Sequence, residues 1–123
     1  DICVVVDVTD VDDTHGSEKN GTARLGGGAA IKVMDSSVIC HPQVVAKLEE
    51  IAKSQSIPIQ RDIMRSGGTD AGAIQNAHYG VKTGGISIPC RYVHTPAETA
   101  DLEDARACIR LAAALIQAEA PCP

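Results

Sequence analysis

A length of 123 residues suits one domain, and 44% hydrophobic residues make the chain globular rather than disordered. Net charge is −5 with no basic cluster, which argues against nucleic-acid binding. No apolar run approaches the roughly 20 residues that span a bilayer. There is no Phe, no Trp and only two Tyr, so the core must come from Val, Ile, Leu, Ala and Met. Such side chains bury little area each.

The chain opens on Asp1 and passes directly into Ile2–Val8, an apolar run read as a strand buried on both faces. Domains rarely begin inside a central strand, so the chain is expected to be a piece of a longer protein. Residues 9–28 follow as a polar, Gly-rich loop without periodicity, of the kind that contacts substrate or forms a lid. Ala29–Asp35 reads as the second strand. Pro42–Ser54 reads as a helix, with Val44, Val45, Leu48, Ile51 and Ala52 on one face and Pro42 in its first turn. Ile57–Met64 is the third strand, Asp70–His78 a short helix and Gly84–Val93 the fourth strand. The last helix, Asp101–Glu119, spaces Leu102, Ala105, Ile109, Ala112 and Ile116 three and four apart, and Asp101 and Asp104 favour its start as caps. Alternating strands and helices imply an α/β layer architecture with a largely parallel or mixed sheet.

Ligands in such sheets collect at the carboxyl ends of strands, where several polar groups stand. Asp7 ends the first strand and would lose its hydration unless a cation, a hydrogen-bond network or protonation compensates. A helix or turn cap is its plainer role. His94 follows the fourth strand, with Thr95 held extended by Pro96, so its imidazole sits on a stiffened backbone. It is either a hydrogen-bonded structural residue or a metal ligand, with Glu98 able to orient it. Arg65–Ala73 carries Gly67 and Gly68, which allow a tight turn, and Thr69 or Asp70, which can cap the next helix. It is an ordinary strand–turn–helix cap or an anion-facing loop; it lacks the Gly-Lys-Ser/Thr of a Walker loop.

His15, His41 and His78 read as structural or solvated. Cys3, Cys40, Cys90, Cys108 and Cys122 are odd in number and contain no CxxC pair, which points to free thiols in a reducing cytosol. None has the His-and-acid setting of a nucleophile.

Four segments form an ordered set: Asp7-Val8-Thr9; Leu25-Gly26-x-Gly28-x-Ala30-Ile31; Gly67-Gly68-Thr69-Asp70-Ala71; and Ser87-Ile88-Pro89-x-Arg91-Tyr92-x-His94. Together they resemble the glutamyl-aminopeptidase and tetrahedral-aminopeptidase family of dinuclear metallopeptidases, from Ile2 to about Ile116. The resemblance implies a three-layer α/β/α sandwich with a mixed sheet, two divalent metal ions (zinc or cobalt), peptide substrates, a cytoplasmic location and homo-oligomers, dodecamers in the family. It implies that Asp7 and His94 are metal ligands, each on a different metal, and that Gly68, Thr69 and Asp70 line the substrate pocket. It also implies a shared metal-bound water as nucleophile and a glutamate as general base. The remaining ligands, that base and an inserted assembly domain would lie upstream of Asp1. By this reading residues 1–123 are the C-terminal part of the catalytic domain, inactive in isolation.

Asp12-Asp13-Thr14-His15 departs from the family's usual Gly-Asp-Thr-Pro, so this loop is expected to bend differently. Two other classes stand beside this one: a non-catalytic binding or scaffold module of the same fold, and a same-fold hydrolase of an N-acyl amide. An endoglucanase activity, attributed to some relatives, is disfavoured because sugar sites use aromatic platforms.

Overall fold

The computed structural model describes residues 2–118. The strands are β1 (Ile2–Asp10), β2 (Ala29–Met34), β3 (Ile59–Ile63), β4 (Lys82–Arg91) and β5 (Thr99–Ala100), and the helices are α1 (Pro42–Ser54), α2 (Asp70–Gln75) and α3 (Leu102–Gln117). The sheet order is β1-β4-β2-β3, with β5 beside the end of β4. β1 runs parallel to β4 and β3 parallel to β2, while β2 and β4 are antiparallel. The sheet is therefore mixed.

Side chains alternate across a strand, which assigns the helices to faces. A Cβ on Gly84 would come 2.4 Å from Val44 Cγ1, so that position faces α1. Thr83 points the other way and donates to Gln75 Oε1 of α2 at 3.2 Å. α1 packs against α3 on the first face and α2 covers the second, giving three layers. Ala29, Ile31, Val44, Leu48, Ile86 and Leu111 form the centre of the core, all fully buried or nearly so.

Helix α1 has the expected bounds and buries the five expected apolar residues. His41 caps it, its Nδ1 accepting the Gln43 N–H at 3.3 Å, so this histidine is structural. In α3 the buried residues are Asp104, Ala107, Cys108, Leu111 and Ala114, whereas Leu102, Ile109 and Ile116 are exposed. The apolar spacing thus identified the helix but marked the wrong face. The small side chains of Ala107 and Ala114 let α3 lie close to the sheet, which a Leu or Ile stripe would hold off.

Asp101 caps α3, accepting the Glu103 N–H at 2.8 Å. Asp104 does not cap; its two oxygens accept the N–H groups of Gly26 and Gly28, each at 2.7 Å. Gly28 has φ +88°, and a Cβ there would lie 2.2 Å from the Pro58 carbonyl oxygen, so only glycine fits.

β1 extends two residues beyond its expected end, to Asp10. Among the described residues it pairs with β4 alone, residues 2–5 are half-buried and Val6 is 58% exposed. Cys3, Cys40, Cys90 and Cys108 are free thiols, and Cys122 lies outside the described residues. Burial pushes the Cys40 and Cys108 thiols up to about 11. Lys32 and Asp62 form an ion pair at 2.6 Å with neither side chain exposed. Beyond that contact neither group reaches hydrogen-bonding geometry with another atom among the described residues.

Candidate functional site

Asp7 sits inside β1, in register with Ser87, and not at the strand's end, because the strand continues to Asp10. The register puts its side chain on the α2 face. The carboxylate is exposed and Oδ1 accepts the Val8 N–H at 2.8 Å, so its hydration is largely kept.

The chain leaving β4 turns abruptly. Tyr92 and His94 both take left-handed backbone, with φ of 58° and 65°. Each such residue costs about 1–2 kcal/mol relative to ordinary backbone. Local hydrogen bonds hold the turn: the Thr95 N–H and Oγ1 donate to the Tyr92 carbonyl at 3.2 and 2.6 Å. The His94 N–H donates to Glu98 Oε1 at 2.8 Å. Glu98 thus acts on the main chain of His94, whereas the sequence suggested the imidazole. Arg91, just before the turn, grips Asp13 with two bonds of 2.5 and 2.8 Å. That pair holds Asp13 below the usual carboxylate range and defines how the 12–15 loop bends. Asp12 Oδ2 secures the same loop by accepting the Asn20 N–H at 2.7 Å.

The third element reaches the site indirectly. β3 runs antiparallel to β1 and β4, so its carboxyl end lies at the opposite end of the sheet from theirs. Beyond it the chain crosses back over the α2 face, where the Thr9 hydroxyl donates to Met64 Sδ at 3.8 Å. Gly67, Gly68 and Thr69 are then tied to the end of β2. The Ser36 N–H and Oγ donate to the Gly67 carbonyl at 3.0 and 2.6 Å. Thr69 Oγ1 donates to Asp35 Oδ2 at 3.1 Å, and Asp35 Oδ1 accepts from the Ser37 and Val38 N–H groups. Thr69 is the N-cap residue of α2 by position, yet its side chain makes no capping bond.

Asp7, His94, Gly68 and Thr69 line one cleft of about 210 Å³, together with Asp10, Asn20, Met64 and Ser66. Residues 87 positions apart in the chain meet at one opening. Asp70 does not line the cleft; it is the exposed first residue of α2. His15 and His78 lie away from the lining as well.

Asp10 was not singled out by sequence. Burial raises its pKa, the Asp12 charge raises it further, and His94 opposes both. Asp10 stands three residues beyond Asp7, a spacing that a two-residue strand period does not group, so only the cleft at the end of β1 brings it together with His94.

The donor set fits a divalent metal in kind: one carboxylate and one imidazole suit zinc or cobalt. It does not complete a shell. Among the described residues no group of three or more His, Cys, Asp or Glu side chains could hold a metal ion. Further ligands would have to come from outside these residues.

Comparison with known proteins follows the same lines. A relative from Acetivibrio thermocellus is 49% identical over 111 residues, covering 90% of this chain and 33% of that protein. The solved structure of an aminopeptidase from the archaeon Desulfurococcus kamchatkensis superposes with a TM-score of 0.91 at 40% identity, covering 98% of this chain and 35% of that one. The TET1 peptidase of Pyrococcus horikoshii, which assembles into a tetrahedron or a large octahedral shell, matches with a TM-score of 0.74 at 31% identity, over 91% of this chain and 32% of that one. The chain therefore spans about a third of the length of the proteins it matches. The sequence profile of the M42 glutamyl aminopeptidases matches residues 1–111. With fold, motif order and sequence all in agreement, the chain belongs to the M42 glutamyl aminopeptidase family.

Proposed function

We propose that this chain supplies part of the catalytic centre of a metal-dependent aminopeptidase, which removes N-terminal residues from peptides. The observation that carries the reading is the single cleft shared by Asp7, His94 and the Gly68-Thr69 loop. Asp7 and His94 would each hold one of two divalent metals, zinc or cobalt. When bound, the metals would activate water and polarise the scissile carbonyl. The protein's own part is placement. The left-handed turn at Tyr92 and His94 would present the imidazole, and β1 the carboxylate. Gly68 and Thr69, anchored through Asp35 and Ser36, wall the cleft where peptide would lie.

No general base is assigned within the chain; a glutamate from outside residues 1–123 would take and return the proton. Residues 1–123 alone are accordingly expected to hydrolyse nothing. The assemblies of the Pyrococcus relative support a homo-oligomer. The four free thiols support a reducing, cytoplasmic setting, and no helix among the described residues is long and apolar enough to cross a membrane.

The test is Asp7→Ala and His94→Ala in the intact protein, with metal content and turnover of an aminoacyl-anilide measured together. Each variant is expected to lose bound metal and most of kcat. Wild-type stoichiometry and turnover in both would refute the ligand assignment.

A further inference from the structure

Beside the Asp7–His94 cleft lies a larger one of about 820 Å³, lined among others by Asp12, Asp13, Lys19, Asn20, Arg24 and Arg65. Asn20 lines both, and Arg65 is followed directly by Ser66 of the smaller cleft. The two clefts therefore adjoin at Asn20.

Its charges do not cancel. Asp13 is engaged by Arg91, and Asp12 accepts main-chain amides of Asn20 and Gly21. Lys19, Arg24 and Arg65 are exposed and make no ion pair among the described residues. Three unpaired cations thus share one cleft in a chain of net charge −5.

The backbone beneath them is held. The Arg65 N–H donates to the Asn20 carbonyl at 2.8 Å, which joins Arg65 to the neighbour of Lys19. The Arg24 N–H donates to Gln60 Oε1 at 3.0 Å, and Gln60 Nε2 returns a bond to the Arg24 carbonyl at 2.9 Å.

Taking the aminopeptidase reading as its basis, we propose that this cleft binds carboxylates of the peptide downstream of the scissile bond, through Lys19, Arg24 and Arg65. Size selects the downstream stretch over the side chain of the departing residue. Several hundred Å³ accommodates a ligand of several residues, whereas one acidic side chain would leave most of the space empty. Two of the three cations are arginines, whose planar forks match carboxylates in pairs of bonds. The carboxylates have two sources, acidic side chains and the peptide's own C-terminus.

The experiment uses the intact, metal-loaded protein and peptides sharing one neutral N-terminal residue. One arm compares Glu with Gln at the second to fourth positions, a second compares the free C-terminus with its amide, and a third compares anilides of acidic and neutral residues. Downstream carboxylates are expected to raise kcat/KM by about two- to fivefold per exposed pair formed, and the advantage should shrink as salt is added. The first two arms identify which source is used. In the triple variant K19E/R24E/R65E the ratio of acidic to neutral peptides should fall below that of the unmodified protein. The salt series on the unmodified protein tests the same point if that variant does not fold.

Equal kcat/KM for acidic and neutral peptides at all salt concentrations would overturn the proposal. So would a preference confined to the anilide arm, which would assign the cleft to the departing residue. Failure of the metal-loaded protein to cleave any peptide would refute the aminopeptidase reading itself, and this proposal with it.

Discussion

Replacing Asp104 tests the tie between α3 and the glycine-rich entry to β2. The residue is 1% exposed, and both its oxygens accept glycine amides at 2.7 Å. A hydrogen bond to a charged group contributes about 1.5–3 kcal/mol net. Gly28 is buried, so its amide would find no water once the carboxylate is gone. Gly26 is exposed, so its amide would recover most of its loss. One full and one partial bond give a cost of about 3 kcal/mol for Asp104→Ala. Asp104→Asn keeps one acceptor and turns an NH2 group toward the other amide, for about 2 kcal/mol. Asp101→Ala is the control. It removes one exposed cap, worth about 1 kcal/mol. Thermal unfolding of the intact protein gives the order of the three, and amide exchange at Gly26 and Gly28 localises the effect. Equal losses for Asp101→Ala and Asp104→Ala, with Gly28 still protected, would refute the reasoning.

Lys32→Met strands Asp62 as an unpaired buried charge and should cost about 3–5 kcal/mol, while Lys32→Met with Asp62→Leu should recover most of it; a double variant no better than the single would contradict this in a denaturation series. On α3, Leu111→Ala should cost about 2–5 kcal/mol and Ile109→Ser under about 0.5, a contrast that reversed values in the same assay would overturn. Asp13 has its folded pKa lowered by Arg91. The pair's stabilisation is therefore complete above the ordinary carboxylate value and is lost as pH falls through the lowered one. Asp13→Asn should flatten that acid limb, and an unchanged acid-unfolding profile would show that the pair contributes nothing.

The helix α1 was legible residue by residue, because a 3.6-residue period with Pro42 at its start is a local property of the backbone. The four long strands were legible for the same reason, to within a few residues at their ends. Asp7, His94 and the Gly67–Asp70 stretch stand out by residue type beside apolar runs, and the structure gathers all of them except Asp70 at one cleft. β5 left no mark, being two exposed residues whose strand character comes only from pairing with Cys90 and Arg91.

The tertiary structure decided which candidates meet. β3 points its end away from β1 and β4, and only the return of residues 64–69 across the sheet brings Gly68 and Thr69 beside Asp7. It also chose the buried face of α3 and sent Asp104 to Gly26 and Gly28 in place of its own helix. Periodicity and capping act over four residues or fewer, so sequence alone determined the helices, the long strands and the residue types at their ends. Contacts that span 76 residues or more depend on how layers stack, and that is settled only when close packing of small side chains, hydrogen bonds to buried amides and the sheet order are satisfied together.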